Sequence, residues 1–132
     1  MTDKEQIDQL CRSFFDLFTN VDGKFPDLDI IYALCILPAI IIKKEGQNET
    51  VYDLTSFIEP RKKILSDGTL IDFIEWETEE FTTISNNIAQ RISHYEKSGK
   101  FNGVSFNQQG TKLFQFIKTG NEWKIISLVW ED

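Results

Sequence analysis

The sequence predicts an α+β fold, with N-terminal helices packed on one face of a bent antiparallel sheet. Three observations predict it. Ile7, Leu10, Cys11, Phe14, Leu17, Phe18 and Val21 recur at three- and four-residue steps, the spacing of an amphipathic helix over roughly residues 3–20. The second half instead holds four long β-rich runs: LIDFIEWETEEF (70–81), NIAQRISHYE (87–96), TKLFQFIKT (111–119) and EWKIISLVW (122–130). Helical patterns first and strands afterwards argue for helices gathered on one side of a sheet, not for alternating βαβ units.

Element by element, Thr2 or Asp3 caps the first helix and NVDGKFP (20–26) ends it. DLDIIYALC (27–35) reads as a short second helix with Asp27 at its N-cap. Pro38 disfavours helix at Leu37, so AIIIKKE (39–45) is a strand and GQNE turns it into TVYDL. TSFIEPRKKIL (55–65) is helical, but Pro60 suits only a first turn or a break, which predicts a short or divided helix ended by SDG. ISNN, KSGKFNGVSFNQQG and TGN separate the four strands as turn-like stretches.

The 132 residues suit a single domain over 1–132, large enough for a real core. A net charge of −7 argues against nucleic acid, because PRKK (60–63) is the densest basic stretch. MTDKEQ has no apolar leader core, and IIYALCILPAIII (30–42) is too short to span a bilayer. These readings favour a cytoplasmic protein with no membrane partner. Cys11 and Cys35 lack metal-ligand spacing and read as buried free thiols.

The last hairpin admits two registers. A three-residue GNE loop with a bulge pairs Thr119 with Trp123, and a two-residue turn slips this by one. The longer loop groups aromatics together and is preferred. It places Leu113, Gln115, Ile117, Trp123, Ile125, Ser127 and Val129 on a helix-facing surface. Phe114, Phe116, Ile126, Leu128 and Trp130 then lie on the other, so the two tryptophans point opposite ways. Both surfaces are apolar, which favours a homodimer through the outer sheet face; a sheet that curls over its own far side is the alternative.

Gln115 and Ser127 interrupt the helix-facing surface and call for partners, water or a ligand. Glu75 and Glu77 share a strand face, as do Arg91, Ser93 and Tyr95, and alternation alone does not fix which faces join Gln115. A pocket carboxylate with a raised pKa can abstract a proton. Arg91 can orient an anion or simply pair with an acid, and Tyr95 can donate to an enolate oxygen or pack its ring. His94 is the lone histidine. No metal-ligand cluster, phosphate loop or nucleophile elbow is present.

The order helix, short helix, hairpin, short helix and four curved strands ending GNEWKI resembles the nuclear transport factor 2-like superfamily, which includes ketosteroid isomerase, scytalone dehydratase and SnoaL-like polyketide cyclases. SFIEPRKKILSDGTLIDFIEWETEE, NIAQRISHYE and GTKLFQFIKTGNEWKIISLVWED are most similar to a bacterial branch of it. The resemblance covers essentially the whole chain. It implies a cone with helices on the concave face of the sheet, a pocket between them for a small apolar or amphipathic molecule, and frequent dimers. The activity implied is that of a small-molecule-binding protein or a cofactor-free isomerase, dehydratase or cyclase. A non-catalytic dimeric or protein-association module is the alternative. Glu75, Glu77 and Tyr95 are the catalytic candidates, and Arg91, Gln115 and Ser127 the ligand-binding ones. The isomerase-type aspartate has no counterpart near Lys43, and a dehydratase-type carboxylate–histidine set finds only His94.

Overall fold

A computed structural model describes residues 1–132. Helix α1 spans Asp3–Asp16, and its Thr2 cap accepts a hydrogen bond from the Glu5 amide. Single 3₁₀ turns at Val21–Gly23 and Leu28–Ile30 lead into the short α2 (Ile31–Leu34), with Asp27 capping the second turn. Strands β1 (Cys35–Glu45) and β2 (Asn48–Tyr52) form the small hairpin. Helix α3 (Leu54–Ser66) precedes β3 (Leu70–Ser85), β4 (Ile88–Phe101), β5 (Val104–Thr119) and β6 (Glu122–Glu131).

The six strands form one open sheet in the order β2-β1-β6-β5-β4-β3. All pairs are antiparallel except β1 with β6, which run parallel and join the two halves of the chain. Register shifts interrupt β1, β3 and β6, and such bulges bend strands. The helices lie on the inner face. Phe14 meets Phe114 edge-on at 5.5 Å, Phe18 meets Phe57 at 5.9 Å, and Phe114 stacks on Phe116 at 5.7 Å. Buried Asn20 ties this layer to the sheet: its amide donates to the carbonyls of Leu65 (3.0 Å) and Leu70 (2.7 Å) and accepts from the Phe73 amide (2.7 Å). Both cysteines are buried and free, and burial pushes each thiol up to about 12.

Four expectations change. Helix α3 is undivided, with Pro60 in its interior. Pro60 and Ser56 both lie on the exposed side, so water can serve the Ser56 carbonyl that Pro60 leaves without an amide. A capping box between Asp53 and Ser56, together with burial of Leu54, Phe57, Ile58 and Leu65, holds the helix. Residues 97–110 form no long loop, because β4 and β5 run on to a two-residue turn at Asn102-Gly103. Both turn residues have positive φ, 51° and 80°, as a type I′ hairpin requires.

The final hairpin uses a two-residue turn, Gly120-Asn121, with Thr119 opposite Glu122. Its bulge lies farther along, where Phe116 pairs with Ile125 and Gln115 with Ser127, leaving Ile126 as the inserted residue. Strand parity flips at that point. Trp123 and Trp130, 4% and 6% exposed, therefore both face the helices with Lys112, Phe114, Phe116, Ile125 and Leu128. The expected assignment of the two faces changes in part: Gln115 and Ser127 point outward, Phe114, Phe116, Leu128 and Trp130 join the core, and Trp123 and Ile125 face the helices as expected.

Candidate functional site

Between α1, α3 and the inner face of the sheet lies a cavity of about 680 Å³. Its apolar walls include Phe14 from α1, Phe18 from the turn after it, Phe57 and Leu65 from α3, and Phe73, Phe106 and Trp130 from the sheet. The β3 bulge between Ile71 and Ile74, where Asp72 takes a positive φ of 52°, sets the phase that turns Leu70, Phe73 and Glu75 inward. Strict alternation along β5 turns Lys112 inward beside Phe114 and Phe116.

Glu75 and Lys112 meet on the cavity wall. Their side chains are 7% and 6% exposed, and the ammonium lies 3.5 Å from the carboxylate. The Lys112 Nζ also sits 3.9 Å from the centre of the Tyr95 ring. Burial pulls the lysine's pKa down, and the charge of Glu75 opposes that fall. No buried side-chain nitrogen or oxygen lacks a partner, so the free valences of this pair open on the cavity. A ligand there meets a carboxylate and an ammonium largely stripped of water.

Tyr95 is buried, but its hydroxyl donates to the Asp132 carboxylate, whose other oxygen takes Lys97 at 2.8 Å. Burial and the Asp132 charge push the phenol pKa up, which keeps it neutral. Burial also acts to raise the Asp132 carboxyl, but hydrogen bonds from Lys97 and Tyr95 hold it below its ordinary value. Gly110 leaves room for the phenol: a Cβ there would clash with the Tyr95 hydroxyl and lie 2.7 Å from the Glu131 carbonyl oxygen.

Arg91 and Glu77 lie elsewhere on the inner face, beneath α1. The Arg91 guanidinium engages Glu77 through two nitrogens, Asp8 at 2.7 Å and Glu80 at 3.6 Å. Ser93 also donates to Glu77, and Lys4 bridges Asp8 and Glu80 at 2.8 Å each. Burial works against the charge of Arg91, yet Glu77 and Asp8 outweigh it and lock the guanidinium in its charged form. This network fastens α1 to β3 and β4. Of the six residues singled out in the sequence, Glu75 alone lines the cavity. Gln115 accepts a 3.0 Å hydrogen bond from the Ser127 hydroxyl on the outer face, and His94 also lies outside, beside Thr111.

Sequence reasoning missed Lys112, Lys97, Lys43, Arg61 and Asp132 as cavity residues. The available signal was parity, since Lys112 shares the strand face of Phe114 and Phe116. No group of three His, Cys, Asp or Glu side chains forms a metal site, and no helix is long and apolar enough to cross a membrane.

No protein-family model matches the chain, and none of the curated proteins matches it. Solved structures do. A nuclear transport factor 2-like superfamily protein from Salmonella enterica superposes with a TM-score of 0.75 at 11% identity, covering 96% of this chain and 88% of its own. A nuclear transport factor 2-like protein from Cytophaga hutchinsonii gives 0.74 at 13%, covering 99% and 98%. The association domain of C. elegans CaMKII gives 0.71 at 13%, covering 98% and 95%. At such identities the likeness establishes the fold.

Proposed function

Starting from the nuclear transport factor 2-like fold of this chain, we propose that it binds a small apolar or amphipathic molecule between its helices and sheet. The observation that carries this reading is the cavity of about 680 Å³ with a buried Glu75–Lys112 pair on its wall. Sites for small molecules commonly run to roughly 300–1,000 Å³, mostly apolar with a few convergent polar groups. Glu75 is the carboxylate placed to move a proton on such a ligand. Glu77 is committed to Arg91, and the Tyr95 hydroxyl to Asp132, which removes both from a first catalytic set.

Thermal denaturation with a panel of neutral aromatic ketones and alcohols tests the reading. A compound at about 100 times its Kd adds about 2.7 kcal/mol of stability. The variant Ile64→Trp, which fills the cavity from α3, is expected to abolish the shift while keeping its own cooperative transition. A wild-type protein that responds to no compound of the panel and binds no aromatic acid would remove the proposal.

A second reading, self-association, has its own observation. On the outer face Val51, Ile42, Val129, Leu113, Ile92 and Phe81 stand opposite one another in sequence across all six strands. All but half-buried Ile42 are exposed. On one side of this row run Glu49, Lys44, Glu131, Thr111, His94 and Glu79; on the other run Ile40, Ser127, Gln115, Gln90 and Thr83. An apolar core with a mostly polar rim is the anatomy of a protein interface. A second copy of the chain is the occupant this reading names, and the mass in solution is its measure.

A further inference from the structure

Among the charged side chains that line the cavity, one cation stands apart from every carboxylate. Four cations, Lys43, Arg61, Lys97 and Lys112, face three carboxylates, Glu45, Glu75 and Asp132. Lys112 lies against Glu75 at 3.5 Å, Lys97 against Asp132 at 2.8 Å, and Lys43 between Glu45 at 3.6 Å and Asp132 at 4.0 Å. Arg61 has no carboxylate within 4.0 Å. Its Nη1 donates to the Phe57 carbonyl of its own helix at 2.9 Å, and Tyr52 also supports its charge.

Arg61 is instead held by rings. Its guanidinium carbon lies 4.0 Å from the centre of Phe57, 5.4 Å from Tyr52 and 5.6 Å from Trp130. Burial disfavours its charge, and Tyr52 with the more distant Glu75 and Asp132 carboxylates only partly offsets this; a partly desolvated cation with no carboxylate in contact is costly. Since no fully buried polar side-chain atom lacks a partner, the guanidinium nitrogens not bonded to Phe57 remain open. They present a planar donor edge of the kind that takes a carboxylate through two parallel hydrogen bonds. Lys43 and Lys112, 5.9 and 5.4 Å from the same Trp130 ring, add positive potential there.

We propose that the ligand of this cavity is a flat, apolar carboxylic acid, its carboxylate on Arg61 and its body among Phe14, Phe18, Phe73 and Phe106. This deepens the small-molecule reading above and rests on it. A single carboxylate matches the one lining cation that has none within 4.0 Å, whereas a dianion such as a phosphate monoester would meet repulsion from Glu45, Glu75 and Asp132. Aromatic walls favour a ring system, which presents its flat faces and edges to them.

The test compares 2-naphthoate with its neutral isostere 2-naphthamide by isothermal titration. The acid is expected to bind the wild-type protein at least about tenfold more tightly, the factor that roughly 1.4 kcal/mol of charge-assisted bonding supplies. Arg61→Met should erase the preference, the acid losing about tenfold or more of its affinity relative to the amide. Glu75→Gln should shift the other way: Lys112 loses its counter-ion, and the acid binds several-fold more tightly. Equal affinity for acid and amide, or an undiminished preference in Arg61→Met, overturns the proposal while sparing the cavity reading. Binding of neither probe overturns it as well, and the panel of neutral ketones and alcohols then decides whether the cavity reading falls with it.

Discussion

Arg91 shows how one residue's surroundings decide between chemistry and architecture. Three carboxylates converge on a guanidinium that is 3% exposed, and removing it would leave them facing one another. Arg91→Met is therefore expected to cost about 3–5 kcal/mol in urea denaturation. For Asp8 and Glu80, burial acts to raise the pKa, but hydrogen bonds from Lys4, with Arg91 on Asp8 and Thr82 on Glu80, outweigh it and hold both below ordinary carboxylate values. A depressed folded-state pKa contributes stability that is complete above the unfolded value, about 4, and lost as pH falls through the folded one. Urea midpoints measured between pH 7 and pH 2.5 should fall below about pH 4. Asp8→Asn should start lower and fall less; an acid limb as steep as wild type would deny Asp8 this role. Sequence alone left Arg91 to orient an anion or to pair with an acid, without singling out Glu77. It was silent on Asp8, 83 positions away, because no local pattern encodes that a helix will be laid across those strands.

Among the elements, α3 departs most from local rules. Proline inside a helix costs about 3 kcal/mol relative to alanine, and here tertiary burial outweighs that cost. Pro60→Ala restores a donor for the Ser56 carbonyl but frees the unfolded chain, so a net gain of about 2 kcal/mol is expected. A lower thermal midpoint for this variant would mean that Pro60 packs against something its exposed position does not suggest. The strands and their succession along the chain were legible, because β-branched and aromatic runs survive any register. The β4–β5 turn was also legible in principle: Asn102-Gly103 is flanked by Phe101 and Val104, a short hairpin signal masked by the polar residues around it. The bulge at Ile126 was not legible. Nothing in EWKIISLVW marks where one residue will be left over, and that residue decides the orientation of everything beyond it.

At the scale of the molecule, the open sheet leaves an apolar row with no cover from its own helices. Leu113→Glu places a charge in the middle of that row, where every neighbour across the strands is apolar. Light scattering should give twice the chain mass for wild type and one chain mass for the variant, with the β-sheet circular dichroism retained. A wild-type protein of single-chain mass at tens of micromolar would remove the self-association reading. The candidate site was only partly legible, since the cavity collects side chains from α1, α3 and five strands. Glu75 was visible as one of two carboxylates, with Glu77, on one strand face; Arg61 and Lys112 acquire meaning only once distant segments face the same space. The parallel contact between β1 and β6 has a further consequence. It sets Ile41 beside Leu128 and Lys43 beside Trp130, so the first strand made on the ribosome must wait for the last before either inner edge is sheltered. Folding during synthesis can settle β3, β4 and β5 early, but the N-terminal hairpin should dock only after the final strand has emerged.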